Sequence, residues 1–233
     1  MAALLASLEC AATAANLQIS PVMINMRAGQ GASGISMQNL GEAQVYGQVR
    51  VYLWDQKDGE DVLTPTQDVV ASPPIIQIAP KSSQMIRLVR RSEQLPASEL
   101  TYRILIDEIP KDDGPAAGVD IRLRYSVPLF VLPADEQRAA PALTWAVFKK
   151  DGMWMLRVRN SGKQRAQIGA LQLSNAAGKE FDIAQGLFGY VLADRTREWR
   201  LPTPGDADLN GTLAIKANIN SRPTSASTVA RVD

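Results

Sequence analysis

The sequence contains no histidine, and its single cysteine, Cys10, lies in an apolar N-terminal run. That removes Ser–His and Cys–His nucleophilic arrangements, histidine-based zinc sites and the commonest general base. Carboxylate pairs remain for acid–base chemistry: Glu60-Asp61, Asp107-Glu108 and Asp112-Asp113. Neighbours on a strand point to opposite faces, and Asp112-Asp113-Gly114 lies between Pro110 and Pro115 as a turn, so none of the three forms an acid–base couple. Residues Gly29 to Gly34 spell G-x-G-x-x-G. The following Ile-Ser-Met-Gln-Asn alternates as a strand, whereas a dinucleotide fingerprint needs a helix N-terminus for the pyrophosphate. No enzymatic activity, cofactor or metal site is expected.

Charge excludes a further class. Lys and Arg exceed Asp and Glu by only one, and they are scattered through strand-like segments, with no basic stripe of the kind nucleic acid requires. Arg87, Arg90 and Arg91 are the densest group and fit a solvated strand edge. Trp54, Trp145, Trp154 and Trp199 are spread along the chain and are read as core or interface residues, not as a carbohydrate platform.

The elements that must position any site are strands. Val119 to Pro133 puts Val119, Ile121, Leu123, Tyr125, Val127 and Leu129 on one parity and Asp120, Arg122, Arg124, Ser126 and Pro128 on the other, the pattern of a long strand. Before it, alternation marks strands at residues 17–26, 35–41, 45–54, 63–78, 85–89 and 101–109, with a polar turn over Asp55 to Asp61. That is about seven strands with no helical period, the count of an immunoglobulin-like sandwich. Pro133 to Pro141 reads as a linker. Seven more strand-like segments follow up to Ile219, enough for a second, smaller sandwich, and the Ser/Thr/Ala-rich tail from Arg222 is expected to fray. The domain reading is therefore a signal at 1–15, a first domain at 16–133 and a second at 134–233.

The signal rests on Ala12-Thr13-Ala14, an A-x-A-like cleavage pattern after a short apolar run. No Lys or Arg precedes it, as a start site placed too far downstream would explain. The exported product would then carry no thiol. Glu9 before Cys10 argues against lipid attachment, and no later stretch is long and apolar enough to span a membrane.

In order and spacing, several segments resemble the periplasmic pilus (fimbrial) assembly chaperones of the chaperone–usher pathway, the PapD-like family. They are Leu17-Gln-Ile-Ser, Ala71-Ser-Pro-Pro74, Ile78-Ala-Pro80 with Met85-Ile-Arg-Leu88, Tyr102 to Pro110, Ile121 to Pro133, and Asp151-Gly-Met-Trp154 to Ser161. The resemblance implies an all-β protein of two immunoglobulin-like β-sandwich domains at an angle, with a cleft between them. It also implies a periplasmic location, a role in fimbrium biogenesis and cell wall organisation, pilus subunits and an outer-membrane usher as partners, and strand donation to a subunit that lacks its last strand. By position the donors are Val119, Ile121 and Leu123, with Tyr125 as a fourth. Whether the free protein self-associates stays open, and a secreted adhesin or pilus structural subunit built from the same sandwich is the alternative.

The departures from the pattern matter. Many members hold the subunit's terminal carboxylate with a basic residue in the first strand and another in the last. Pro21 and Pro128 occupy those places here, as in the archaic branch of the family. Leu132 stands where many members carry a basic residue of an interdomain ion pair. Closing the last two strands of the first domain as a symmetric hairpin brings Arg103 opposite Arg122 or Arg124, a like-charge pair that is either solvated or arranged around an anion. Arg103 is the first candidate for the subunit carboxylate and Arg124 the second.

Overall fold

The computed structural model of the chain describes residues 17–109, 122–204 and 207–232. The expected signal with Cys10, the turn at 110–118 and the candidate donors Val119 and Ile121 lie outside the described residues.

Apart from one 3-10 turn at Glu136–Arg138, every regular element among the described residues is a strand. The first ten are β1 (Leu17–Ser20), β2 (Ile24–Met26), β3 (Ala32–Asn39), β4 (Val45–Lys57), β5 (Glu60–Pro65), β6 (Val69–Ser72), β7 (Ile75–Ile78), β8 (Ser83–Arg90), β9 (Leu100–Ile109) and β10 (Arg124–Val131). They form one sheet of order β1-β3-β8-β6 and another of order β2-β10-β9-β4-β5, with β7 added alongside β4. The alternation seen in the sequence is what joins them. Ile35, Met37, Ile86 and Leu88 from the first sheet meet Val49, Tyr102, Ile104, Ile106, Val127 and Leu129 from the second in one buried cluster.

The remaining strands are β11 (Leu143–Lys150), β12 (Met153–Asn160), β13 (Ala166–Asn175), β14 (Glu180–Asp182), β15 (Leu187–Val191), β16 (Arg195–Arg200), β17 (Gly211–Ile219) and β18 (Arg222–Val232). They enclose a second core of Trp145, Val147, Trp154, Leu156, Ile168, Leu173, Leu213 and Ile215 among others. The protein is thus two immunoglobulin-like sandwiches.

Two turn-level expectations are corrected. The tail does not fray: β18 pairs with β17 from Ile219↔Arg222 to Gly211↔Ala230, and its end crosses to pair with β11. Its composition is poor in large apolar groups, but Ala226 and Ala230 pack against the core. Asn220 and Ser221, both at positive φ, close the hairpin with the handedness that suits twisted strands. The segment Asp55 to Asp61 is not all turn either. β4 and β5 continue through it, and only Asp58-Gly59, again both at positive φ, turns the chain.

Each sandwich carries the same internal polar device. Asn39 at the end of β3 donates to the carbonyls of Ala43, Ile78 and Ala79 and accepts from the Gly41 N–H. Asn160 at the end of β12 donates to Gln164, Val191 and Leu192 and accepts from Gly162. Both are fully buried with their polar atoms paired, so each pins a loop end without an unsatisfied group.

Candidate functional site

β10 is bordered unequally. On one side β9 pairs with it along its whole length, from Arg124↔Asp107 to Val131↔Leu100. On the other, β2 pairs only with Leu129, Phe130 and Val131. Among the described residues the edge from Arg124 to Pro128 has no ladder partner.

The direction of the backbone groups follows from one bond. The Glu108 N–H donates to the Leu123 carbonyl at 3.1 Å, so the odd-numbered residues of β10 turn their N–H and C=O groups to β9. The N–H groups of Arg124 and Ser126 therefore point out of the sheet. Pro128 belongs to this outward set, which is why a proline fits mid-strand without removing a ladder bond.

Side chains divide by the same parity. Val127, Leu129 and Val131 are buried in the first core with Tyr125 packed against it, while Arg124 and Ser126 are exposed. The Tyr125 hydroxyl donates to the Leu17 carbonyl at 2.8 Å, and burial pushes its pKa up, helped by the charge of Glu108. Leu123, half-buried, continues this parity just beyond the strand end.

The register corrects one expectation. Arg103 stands opposite Pro128 on β10 and Tyr52 on β4, and Arg124 stands opposite Asp107, so no arginine pair faces across the ladder. Moving the register by an even number of residues leaves every side chain on its own face, and the alternation of Tyr102, Ile104 and Ile106 could not distinguish the two arrangements. Asp107 bonds both Arg124 and Arg50. Burial raises its pKa, but the hydrogen bonds from the two guanidinium groups outweigh this and hold the carboxyl below its usual value. Arg124 is thus already paired, sharing one carboxylate with Arg50.

Arg103 is not. Its Cζ lies 3.7 Å from the ring centroid of Trp54 and 5.7 Å from that of Tyr190. Burial lowers its pKa, opposed by the charges of Asp61 and Tyr190, and no hydrogen bond to a described residue holds it. It lines a cleft of about 570 Å³ between the sandwiches. Val22, Asp61, Ser126 and Pro128 line this cleft from the first sandwich, and Gln167, Leu187, Phe188, Tyr190, Arg197 and Trp199 from the second.

The floor of the cleft is where the sandwiches join. Trp54, Phe130 and Leu192 form a buried cluster with Met23 and Tyr190 against it. The three rings meet at 5.4 to 6.0 Å between centroids, in tilted and edge-on contacts. Arg165 caps Phe130 at 3.5 Å and pairs with Glu99, whose side chain is 0% exposed. The Arg165 N–H bonds the same carboxylate and its guanidinium reaches Asn25. Burial pushes the Glu99 pKa up, opposed by the Arg165 charge and hydrogen bonds. Gln56 donates to the Tyr190 carbonyl and accepts from the Leu192 N–H. Position 132 takes no part as a charge; beside the more exposed pairs Asp55–Arg195 and Glu60–Arg197, the buried interdomain ion pair is built from Glu99 and Arg165. The sequence reading did not name these residues or Gln56. Gln56 follows Tyr52 and Trp54 in parity, and continuing the alternation past Trp54 finds it; Glu99 and Arg165 carry no local signal.

Among the described residues no group of three His, Cys, Asp or Glu is placed to hold a metal, and no helix is long and apolar enough to cross a membrane. What the site offers is an unpaired strand edge leading to a cation in a cleft.

Comparison with known proteins agrees with this geometry. The family model of the pili and flagellar-assembly chaperones, PapD N-terminal domain, matches residues 16–136. No curated protein matches the chain by sequence. The fold is similar to a chain of the CsuC–CsuE chaperone–tip adhesion subunit pre-assembly complex from archaic chaperone–usher Csu pili of Acinetobacter baumannii. The identity is 24%, 94% of this chain and 100% of that one are covered, and the TM-score is 0.71. The YadV chaperone is similar at 18% identity, covering 91% and 100%, with a TM-score of 0.64. A chain from the Salmonella enterica SafA pilin–SafB chaperone complex is similar at 15%, covering 94% and 98%, with a TM-score of 0.61. With the family match spanning more than half of its length, the chain belongs to the PapD-like pilus-assembly chaperones.

Proposed function

We propose that this chaperone works in the periplasm, holds a pilus subunit by adding a strand to the subunit's incomplete sandwich, and passes it to an outer-membrane usher. The first domain, 16–133, supplies the strand, and the second, 134–233, the far wall of the cleft. The observation that carries this reading is the edge of β10 from Arg124 to Pro128, which has no ladder partner among the described residues. An open edge of this kind is a template for another chain, and a subunit that lacks a strand presents the matching edge and an apolar groove. Val119, Ile121 and Leu123 are the groove-filling side chains. Tyr125 is the inner limit of the set, because its hydroxyl is spent on Leu17.

The edge also locates the end of the bound strand. A partner strand laid along β10 is stopped at Leu129, where β2 takes over. If it runs parallel to β10 its carboxyl end lies beside Pro128, across the ladder from Arg103. A guanidinium with no carboxylate hydrogen-bonded to it suits that end, whereas Arg124 is held by Asp107.

Co-expression in the periplasm with a pilus subunit tests the reading. The wild-type pair should co-purify, and replacing Ile121 and Leu123 together by Asp should abolish the complex while the chaperone stays folded, since charges would enter an apolar groove. Undiminished co-purification of that variant rejects strand donation by these residues.

A further inference from the structure

The cleft has a second wall that the carboxylate reading does not use. Leu187 and Val22 flank it from opposite sandwiches, 58% and 71% exposed. Between them Phe188 and Trp199 pack together, ring centroids 4.9 Å apart. The chain gives up a side chain to keep the indole there: a Cβ on Gly189 would come within 2.8 Å of the Trp199 ring.

The cation on this side, Arg197, is occupied. Arg197 bonds Glu60 and the carbonyls of Gly59 and Glu198, and lies 3.6 Å from Asp61. An acidic side chain entering here finds Arg197 already paired, while an apolar one covers exposed apolar surface on both sides.

We propose that Leu187, Phe188 and Trp199, faced by Val22, form a selective pocket for a bulky apolar side chain on the last residue of the bound strand. This rests on the strand-addition reading above and deepens it. The free edge of β10 ends at Pro128, and Ser126 and Pro128 line the cleft themselves, so the pocket continues the edge. With the terminal carboxylate on Arg103, the last side chain faces the opposite wall, which is the apolar one. The second sandwich thereby takes part in choosing the subunit.

The test uses the full chain and three fluorescent ten-residue peptides of alternating valine and threonine, ending in free Phe, free Gly or Phe amide. Fluorescence polarisation should show the Phe-ended acid binding at least tenfold more tightly than the Gly-ended one. Leu187→Ser and Phe188→Ala, checked for unchanged melting, should reduce that preference while leaving the Gly-ended peptide unaffected. Equal binding of the two acids overturns the proposal, as does a preference that survives in both variants. The parent reading fails separately: Arg124 and Ser126 amides that exchange as fast with saturating Phe-ended acid as without it reject strand addition, and the amide binding as tightly as the acid rejects the Arg103 anchor. Binding of none of the three peptides overturns both.

Discussion

Arg103 on β9 and Pro128 on β10 stand directly across the ladder from each other. One residue later β2 closes the edge, so the place where an added strand must stop coincides with a half-buried guanidinium that has aromatic rings but no carboxylate bonded to it.

Replacing Arg103 by Ala should weaken subunit binding by about 1.5–3 kcal/mol, the worth of a charge-assisted bond. The free chaperone should also lose about 0.5–2 kcal/mol, because the guanidinium stacks on Trp54. Titration calorimetry and urea unfolding separate the two effects. An affinity loss no larger than the stability loss would assign Arg103 to packing alone.

Leu123→Asp should leave melting within about 0.5 kcal/mol of wild type, as for a surface change outside the core, yet abolish subunit capture. Tyr125→Phe should do the reverse. It removes the bond to Leu17, costs about 0.5–1.5 kcal/mol, and retains the subunit. Co-purification beside thermal melts of both variants reads this division.

The Glu99–Arg165 pair should behave as a buried ion pair. Arg165→Ala leaves the Glu99 carboxylate buried and unpartnered, and should cost about 3–5 kcal/mol in urea unfolding. The double change Glu99→Gln, Arg165→Met should cost clearly less than the two single changes summed. Strict additivity would mean that the two do not act as a pair.

Much of the fold was legible and much of the site was not, for one physical reason. Alternation fixes which face a side chain takes, so the core faces of β4, β9 and β10 could be read directly from Val49, Ile104 and Val127. It does not fix which residues stand opposite, and hence Arg103 was paired with the wrong partner. The tail was misjudged because Ser, Thr and Ala carry little hydropathy signal, although β17 offered them a complete ladder. Glu99 and Arg165 are 66 positions apart, and only the docking of the two sandwiches makes them neighbours.

Acid should destabilise the protein through its arginine-bound aspartates. Asp107 has a folded pKa below its ordinary 3.8, so its contribution to stability is fully present above that value and is lost as pH falls through the folded pKa. Asp55, bonded by Arg195 and also held low against the effect of burial, adds in the same window. Asp107→Asn should flatten the decline of the melting temperature below about pH 4. An unchanged slope would remove Asp107 from the acid response.

Hydrogen exchange on β10 tests strand addition most directly. The Arg124 and Ser126 amides point out of the sheet, whereas those of Tyr125 and Val127 bond β9. In the free chaperone the first two should exchange quickly and the second two slowly. In the complex with a pilus subunit, Arg124 and Ser126 should become protected to the level of their neighbours. Fast exchange at Arg124 and Ser126 in a fully formed complex would contradict the account, because the subunit would then be held by a surface other than this edge.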